Sequence, residues 1–314
     1  MDRPAVTRRR AATPSLHGLR VLVTGAARGI GADAAVRLAA RGARPALVGL
    51  EPEVLASVAA RCGDAPWFEC DVTDAAQLER AVQGTLVRLG GLDAVVANAG
   101  IAPVGMVRSI DPAAFERTLE VNLLGTWRTV RACLPHIIAT RGYVLVVASL
   151  AAIAHGPGMA AYTASKAGAE AFADCLRLEV RHLGVDVGVA YFSWIATDMV
   201  AGADRHPLGA LMRTRLRGPL ARRYPVSVAG EAIERGIERR ARYVVVPGWI
   251  RALLLARGLI TPLGERLAGR EAAEADAVFA DDVRRRGEHQ ASAPVGPGGA
   301  AASHRSGEVE AVIR

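Results

Sequence analysis

The chain has 314 residues, of which 51% are hydrophobic and 4% aromatic, and it carries a formal net charge of +8. This length and hydrophobic content favour one large globular domain. The arginines are scattered and lack interleaved aromatic residues, which argues against nucleic-acid binding. The basic N-terminus has no apolar core of about 7–15 residues. No run of about 18 apolar residues occurs either, so we expect neither a secretory signal nor a spanning helix.

The four cysteines form no CxxC pair and have no histidine-rich neighbours, which argues against a zinc site or a disulfide framework. They are Cys62, Cys70, Cys133 and Cys175. We expect buried free thiols in a reducing compartment, and therefore a cytoplasmic protein that binds no metal.

From Leu19 onward, short apolar runs alternate with amphipathic, alanine-rich segments. The predicted strands are Arg20–Thr24, Ala46–Leu50, Trp67–Cys70, Ala94–Ala97, Tyr143–Ala148, Asp186–Tyr191 and Tyr243–Val246. The predicted helices are Ile30–Ala40, Glu53–Arg61, Ala75–Leu89, Ala113–Thr140 and Met159–Leu183. Continuous apolar strands suit a sheet that is buried on both faces. The pattern predicts an α/β fold, a Rossmann-type doubly wound sheet of about seven parallel strands with helices on both faces.

Three segments depart from this rhythm. Residues 1–17 are basic and predicted to be disordered, and residues 269–314 turn charged and then rich in Gly, Pro and Ala, which predicts a mostly disordered tail. Between them we expect a single domain over residues 18–268, with a mobile lid insertion at 201–224. Apolar residues and two arginines in Trp249–Leu263 are compatible with docking on a membrane surface, but packing against the body or another subunit is favoured.

The first predicted strand runs into a glycine-rich turn, Thr24-Gly25-Ala26-Ala27-Arg28-Gly29-Ile30-Gly31, that opens a helix. Glycines allow a tight turn and close approach of the backbone to a pyrophosphate, and the N–H groups at the helix start attract the anion. The spacing is G-x-x-x-G-x-G rather than G-x-G-x-x-G. A structural turn remains the alternative interpretation.

Later strands end in small or polar residues at the sheet edge where open sheets bind ligands. These strand ends are Asp71-Val72, Asn98-Ala99-Gly100 and Ser149. Asp71 is also compatible with a helix cap and Asn98 with a turn.

Among 39 Lys and Arg residues Lys166 is the only lysine, and it follows Tyr162 by four residues. On a helix, positions i and i+4 share a face. A nearby ammonium favours a phenolate, so the two residues form a candidate proton-transfer pair. Taken alone, a Tyr-x-x-x-Lys match is more often two ordinary helix residues.

Together these motifs resemble the short-chain dehydrogenase/reductase family of the classical type over about residues 18–248. The matching elements are TGxxxGIG at 24–31, Asp71-Val72, NAG at 98–100, Asn122, Ser149 and YxxxK at 162–166. The resemblance implies an NAD(P)-dependent alcohol dehydrogenase or ketoreductase, and a homodimer or homotetramer.

By the same resemblance, Tyr162 exchanges a proton with the substrate oxygen, and Ser149 holds that oxygen. Lys166 binds the nicotinamide ribose and lowers the pKa of Tyr162. Asn122 holds a water that leads to bulk solvent, although an asparagine on a long helix can also satisfy local backbone groups. The implied cofactor-binding residues are Gly25, Arg28, Gly29, Ile30, Gly31, Asp71, Val72, Asn98, Ala99, Gly100, Tyr162, Lys166, Ile195 and Thr197.

Two positions depart from the family pattern. Phe192-Ser193 stands where Pro-Gly is usual, and Gly49-Leu50 ends the second strand where an acidic or a basic residue would select the cofactor. The missing carboxylate removes repulsion against a 2′-phosphate and Arg28 could pair with that phosphate, so NADP(H) is slightly favoured. Glu51 is the residue that would instead reach the ribose of NAD(H).

The substrate is predicted to be an apolar small molecule, because several apolar residues flank the expected reacting centre. They are Ile153, Met159, Phe192, Trp194 and Met199, with His155 as a loop histidine. The alternative function is a catalytically silent NAD(P)-binding sensor or scaffold of the same fold.

Overall fold

Seven parallel strands form one sheet in the order β3-β2-β1-β4-β5-β6-β7. The computed structural model describes residues 15–303, without the side chains of residues 260, 261 and 263–270. The strands are β1 (Arg20–Thr24), β2 (Arg44–Gly49), β3 (Trp67–Glu69), β4 (Ala94–Ala97), β5 (Tyr143–Val147), β6 (Asp186–Phe192) and β7 (Tyr243–Val246). This confirms the predicted fold class, and the order reverses direction between β1 and β4, where such sheets bind ligands.

Alternate residues of β1 face opposite sides of the sheet, and each side carries its own core. Val21 and Val23 belong to one buried cluster, and Leu22 belongs to the other. In β1 and β4 the residues Val21–Thr24 and Ala94–Ala97 are buried, which explains why the apolar runs were continuous.

Twelve α-helices are named within residues 15–303, and residues 297–303 are also helical. The first six are α1 (Gly29–Ala40), α2 (Pro52–Arg61), α3 (Ala75–Leu89), α4 (Pro112–Leu119), α5 (Gly125–Thr140) and α6 (Ala160–Val180). The others are α7 (Asp198–Arg205), α8 (Pro207–Arg215), α9 (Val226–Glu238), α10 (Ile250–Leu255), α11 (Arg257–Arg286) and α12 (Glu288–Ala291).

The predicted helix Ala113–Thr140 is continuous but not uniform. A π-helical stretch, Glu120–Leu124, joins α4 to α5. π-Helical turns often mark functional sites, and this one contains Asn122.

The prediction of a mostly disordered tail is wrong for residues 269–303. Helices α11 and α12 occupy most of this segment, and Ala275, Phe279 and Ala291 are 0% exposed. Together with Val104 and Leu208 they form a third apolar cluster. Burial of these few side chains orders a segment whose composition is otherwise that of a disordered chain. Residues 304–314 lie outside the described part.

The predicted lid at 201–224 contains α7, α8 and a short 3₁₀ turn, Gly218–Ala221. Leu208 of α8 is 0% exposed and belongs to the third cluster, so α8 rests on the body and on α11. At the other end of the chain, Leu16 is 2% exposed in the core, although the prediction placed it in a disordered segment. Residues 1–14 are not described.

The cysteine prediction is correct for three of the four thiols. Cys62, Cys70 and Cys133 are buried and free, whereas Cys175 is exposed. Within the described residues no group of His, Cys, Asp or Glu could hold a metal ion. No helix between residues 15 and 303 combines the length and apolarity needed to cross a bilayer.

In the segment Trp249–Leu263, Ile250 is buried and Leu253 packs against the core, whereas Leu255 of α10 and Leu259 of α11 are 91% and 74% exposed. The inner face of this segment therefore packs on the body.

Candidate active site at the carboxyl edge of the sheet

The glycine turn after β1 has the geometry of an anion cradle. Gly25 and Gly29 have φ values of +64° and +53°, which favour glycine. A Cβ on Gly31 would lie 2.4 Å from the Gly25 carbonyl oxygen, so only glycine fits there. Since α1 begins at Gly29, its free N–H groups face the cleft above β1. The fit to a pyrophosphate is therefore built from backbone atoms.

Thr24 and Asn98 fasten β1 to β4 where the strand order reverses. The Asn98 and Ala99 amides donate to Thr24 Oγ1 at 3.1 and 3.2 Å, and Asn98 Nδ2 donates to the Thr24 carbonyl at 2.9 Å. Asn98 therefore shapes the cleft, and it does so by stabilising the turn after β4.

Asp71 lies at the end of the cleft beyond β3. Its Oδ1 accepts hydrogen bonds from the amide and hydroxyl of Thr73, and its Oδ2 pairs with Arg117 Nη2 at 2.6 Å. Asp74, not Asp71, caps α3. This leaves Asp71 and Val72 as walls of the cleft.

Arg28 is paired with Glu51 rather than free. Arg28 Nε and Nη2 donate to Glu51 Oε1 at 2.8 and 2.7 Å, in a fork geometry. A second, longer ion pair joins Arg28 Nη1 to Asp198 at 3.9 Å. Gly49 ends β2 as predicted, and Glu51 is the carboxylate that faces the cleft beyond it.

Tyr162 and Lys166 lie on one face of α6 and line the cleft. Lys166 is 4% exposed, its Nζ donates to the Val147 carbonyl at 2.8 Å, and it lies 5.8 Å from the centre of the Tyr162 ring. Burial lowers the pKa of Lys166 to about 8.

The pKa of Tyr162 is raised, mainly by burial, and the hydrogen bond with Ser149 lowers it in part. Lys166 Nζ is directed at the Val147 carbonyl, and its effect on the Tyr162 pKa stays a prediction. The hydroxyl of Ser149 also accepts a hydrogen bond from the Ala151 amide at 3.1 Å.

Asn122 is 0% exposed and lies behind the cleft rather than in its wall. Its Nδ2 donates to the Ile101 carbonyl and to Ser165 Oγ, each at 2.9 Å, and its Oδ1 accepts from the Ile101 amide at 2.8 Å. Ser165 in turn donates to the Tyr162 carbonyl at 2.7 Å. Asn122 thus satisfies local groups and ties the loop after β4 to α6.

The wall beyond β6 contains Ile195 and Thr197, with Thr197 capping α7. Ser193, in place of the usual glycine, also lines the cleft. Its hydroxyl oxygen is buried and has no hydrogen-bond partner among the described residues. A nicotinamide carboxamide is a chemically suitable partner for it.

Most of the predicted residues therefore meet in one cleft. Those that line it are Gly25, Arg28, Gly29, Ile30, Asp71, Val72, Asn98, Ala99, Gly100, Ser149, Tyr162, Lys166, Ile195 and Thr197. Gly31 and Asn122 stand behind its wall. The donor set, with a glycine cradle at one end and a phenol at the other, fits a dinucleotide.

Sequence reasoning missed one part of the cleft. Val295, Gly296, Gly298, Gly299 and Ala302 line it, although they fall in the segment predicted to be disordered. Their composition carries no signal of a binding role.

Of the residues predicted for the substrate side, Phe192 and Met199 line the cleft. Ile153 is 3% exposed in the core, and Trp194 lies under the guanidinium of Arg213 at 5.0 Å. Phe192 and Met199 therefore add apolar side chains to a wall that also contains Ser193 and Thr197.

A family model described as short chain dehydrogenase matches residues 20–207. The chain belongs to this family. It is an oxidoreductase that works with a nicotinamide cofactor.

Two relatives from Arabidopsis thaliana and one solved structure illustrate the likeness. Short-chain dehydrogenase reductase 5 is 38% identical over 48% of this chain, which covers 60% of that protein. The relative named 11-beta-hydroxysteroid dehydrogenase 1A is 32% identical over 80% of this chain and 74% of its own length. A short-chain type dehydrogenase/reductase from Mycobacterium marinum matches 75% of this chain and 96% of its own, with a TM-score of 0.67 and 26% identity.

Proposed function

We propose that this short-chain dehydrogenase is an NAD(P)-dependent alcohol dehydrogenase or ketoreductase with Tyr162 as general acid and base. The supporting observation is that the Tyr162 phenol, the Ser149 hydroxyl and the Lys166 ammonium share one cleft with the glycine turn. A phenol and a hydroxyl placed together stabilise the oxygen of a carbonyl as it becomes an alcohol.

The proton transfer follows from the environment of Tyr162. Burial raises the pKa of Tyr162, so at neutral pH the phenol is protonated and donates to a ketone oxygen in reduction. In oxidation the phenolate accepts the hydroxyl proton, and the hydrogen bond from Ser149 favours that form. A bound nicotinamide supplies or accepts the hydride.

Lys166 and the neighbouring loop would hold the nicotinamide end. With a pKa of about 8, Lys166 is mostly charged at pH 7, and an ammonium has two further donors besides the one on Val147. These donors suit ribose hydroxyls. Ser193, Ile195 and Thr197 form the opposite wall, where the carboxamide would bind.

The Arg28–Glu51 pair favours NAD(H) over the NADP(H) that the sequence slightly preferred. A 2′-phosphate would meet the Glu51 carboxylate, whereas a 2′-hydroxyl would donate a hydrogen bond to it. Arg28 is committed to Glu51 through two short hydrogen bonds, so it is less able to bind a phosphate.

An alcohol or ketone on an apolar small molecule is the substrate class that the cleft supports. Phe192 and Met199 give its reacting end an apolar wall. One relative is named a hydroxysteroid dehydrogenase, which is consistent with a bulky apolar substrate. The helices α7 and α8 would act as the lid over it.

A homodimer or homotetramer in the cytoplasm is part of the proposal. Three large apolar side chains are exposed on this part of the surface: Leu124 at the end of the π-helical stretch, Trp127 on α5 and Leu178 on α6. Burial against another copy would remove this apolar surface from water.

The test is cofactor titration followed by a screen of secondary alcohols and ketones, steroids included, with wild type and Tyr162→Phe. We expect Tyr162→Phe to lower kcat by about 100-fold or more and to leave cofactor affinity within about threefold. Tyr243→Phe, on the edge strand β7, is the control and should resemble wild type. Cofactor binding without turnover of any compound by either form would instead support the silent sensor.

A further inference from the structure

The C-terminal segment forms part of the wall of the cleft that the proposed function assigns to the dinucleotide. We call residues 295–302 the strap. Residues 297–303 are helical, and five residues of the strap line the same cleft as the glycine turn. They are Val295, Gly296, Gly298, Gly299 and Ala302.

One end of the strap is fixed beside the nicotinamide end of the cleft. The Val295 amide donates to the Ala102 carbonyl at 3.0 Å, on the loop after β4. Gly296 has a φ of +83° and lies against the start of α7. A Cβ on Gly202 of α7 would lie 2.7 Å from the Gly296 amide nitrogen, so the two backbones are in close contact.

The other end is fixed beside Asp71. Ala302 is 1% exposed and belongs to the same apolar cluster as Val72. Arg117 Nη2, which pairs with Asp71 at 2.6 Å, also donates to the Ala302 carbonyl at 3.4 Å. The strap therefore reaches from the reacting end of the cleft to the end that Asp71 forms.

The strap covers the cleft rather than filling it. Four of its five lining residues are Gly or Ala, which bring backbone close to a ligand without side chains that would displace it. A Cβ added to Gly298 would meet no atom within 4 Å.

The strap is anchored to an element that is itself docked on the body. The helices before it are held by Phe279, by an ion pair between Arg108 and Asp276, and by His206 Nε2 at 2.8 Å from the Ala291 carbonyl. The two ends of the strap are held on the body through Val295 and Ala302.

We infer that the strap closes over the bound dinucleotide and controls its exchange. This inference rests on the proposed function. Because the strap spans the mouth at both ends, a dinucleotide beneath it leaves only when the strap lifts. The rate of cofactor dissociation is thus set by the contacts of Val295 and Ala302 with the body.

The experiment measures NADH dissociation by stopped-flow fluorescence in the full-length protein. Ala302→Arg places a charged side chain in a buried position and unseats the strap, whereas Ala300→Arg introduces the same side chain at an exposed position of the segment. We expect Ala302→Arg to raise the dissociation rate constant about tenfold or more, and Ala300→Arg to change it less than about twofold. Melting curves without cofactor check that both variants fold.

Deuterium exchange gives a second measurement. Saturating NADH should slow exchange of the strap amides in wild type and in Ala300→Arg, and should not do so in Ala302→Arg. An unchanged dissociation rate in Ala302→Arg overturns the inference, and so does tighter binding, which would mean that the strap competes with the cofactor. Absence of NADH and NADPH binding in every form, wild type included, would overturn the proposed function. An unchanged dissociation rate in a protein that does bind NADH overturns the inference alone.

Discussion

Glu51 changes the role expected for Arg28. From the sequence, Arg28 was a candidate partner for a 2′-phosphate because Gly49 leaves the end of β2 without a carboxylate. In the structure the carboxylate arrives two residues later, from the start of α2, and takes the Arg28 fork. Whether Glu51 would reach the cleft depended on the turn between β2 and α2, which residue types alone do not specify.

We predict that Glu51→Gln shifts cofactor preference toward NADP(H). The substitution removes the charge that repels a 2′-phosphate and frees Arg28 to bind it, so the ratio of NADPH to NADH affinity should rise about tenfold or more. Fluorescence titration of both cofactors measures the ratio.

The matched control is Glu53→Gln, which removes an exposed carboxylate from the same helix. Its ratio should equal that of wild type. An unchanged ratio in Glu51→Gln would show that Glu51 does not face the ribose.

The catalytic candidates were found from sequence because the chemistry constrains their residue types and their spacing. Tyr162 and Lys166 share a helix face by geometry alone, and the strand ends bring Asn98 and Ser149 to the same edge. Their hydrogen bonds were less predictable. The direction of Lys166 toward Val147 and of Asn122 toward Ile101 depends on contacts between distant parts of the chain.

At the scale of elements, few of the described side chains of α11 and α12 are buried apolar ones. Most of α11 is polar or small, and Ala275 and Phe279 are the residues that anchor it in the third cluster. The apolar residues of α11 are too sparse to predict a helix from sequence. They stabilise one in the structure because α8 and the loop at Val104 supply the other half of the third cluster. The sheet and its helices were predictable, in contrast, because each strand is itself apolar.

We predict that Phe279→Ala releases these two helices without unfolding the sheet. The cavity left by a buried Phe costs about 3–5 kcal/mol, which is more than the sparse remaining contacts of α11 are expected to offset. Deuterium exchange should therefore become about tenfold faster or more in α11 and α12, with β1 and β4 still protected.

Val278→Ala, at a half-buried neighbouring position, should change exchange far less. Equal protection of α11 in wild type and Phe279→Ala would mean that other contacts hold the helix.

At the scale of the whole molecule, one buried charge should be visible in the pH dependence of stability. Lys166 has a pKa of about 8 in the folded protein and an ordinary value of 10.5. Between these values the unfolded chain binds more protons than the folded one, so this residue makes stability rise with pH. Below pH 8 the cost of burying the ammonium is present in full.

We predict that Lys166→Met stabilises the protein more at pH 6.5 than at pH 9.5. The difference between the two pH values should be about 2 kcal/mol, because wild type loses much of its penalty as Lys166 becomes neutral. Denaturant unfolding of both proteins at the two pH values measures it. Lys166→Arg retains a charge throughout this range. Its free energy of unfolding should therefore not approach that of Lys166→Met as the pH rises. If Lys166→Met differed from wild type by the same free energy at both pH values, the lowered pKa of Lys166 would be contradicted.

The position of Lys166 also allows the protein to be modified selectively at one side chain. Since no other side chain in the sequence carries a primary amine, an acylating reagent that enters the cleft can modify a single side-chain nitrogen. The yield of that single adduct would report whether the passage beneath the strap is open.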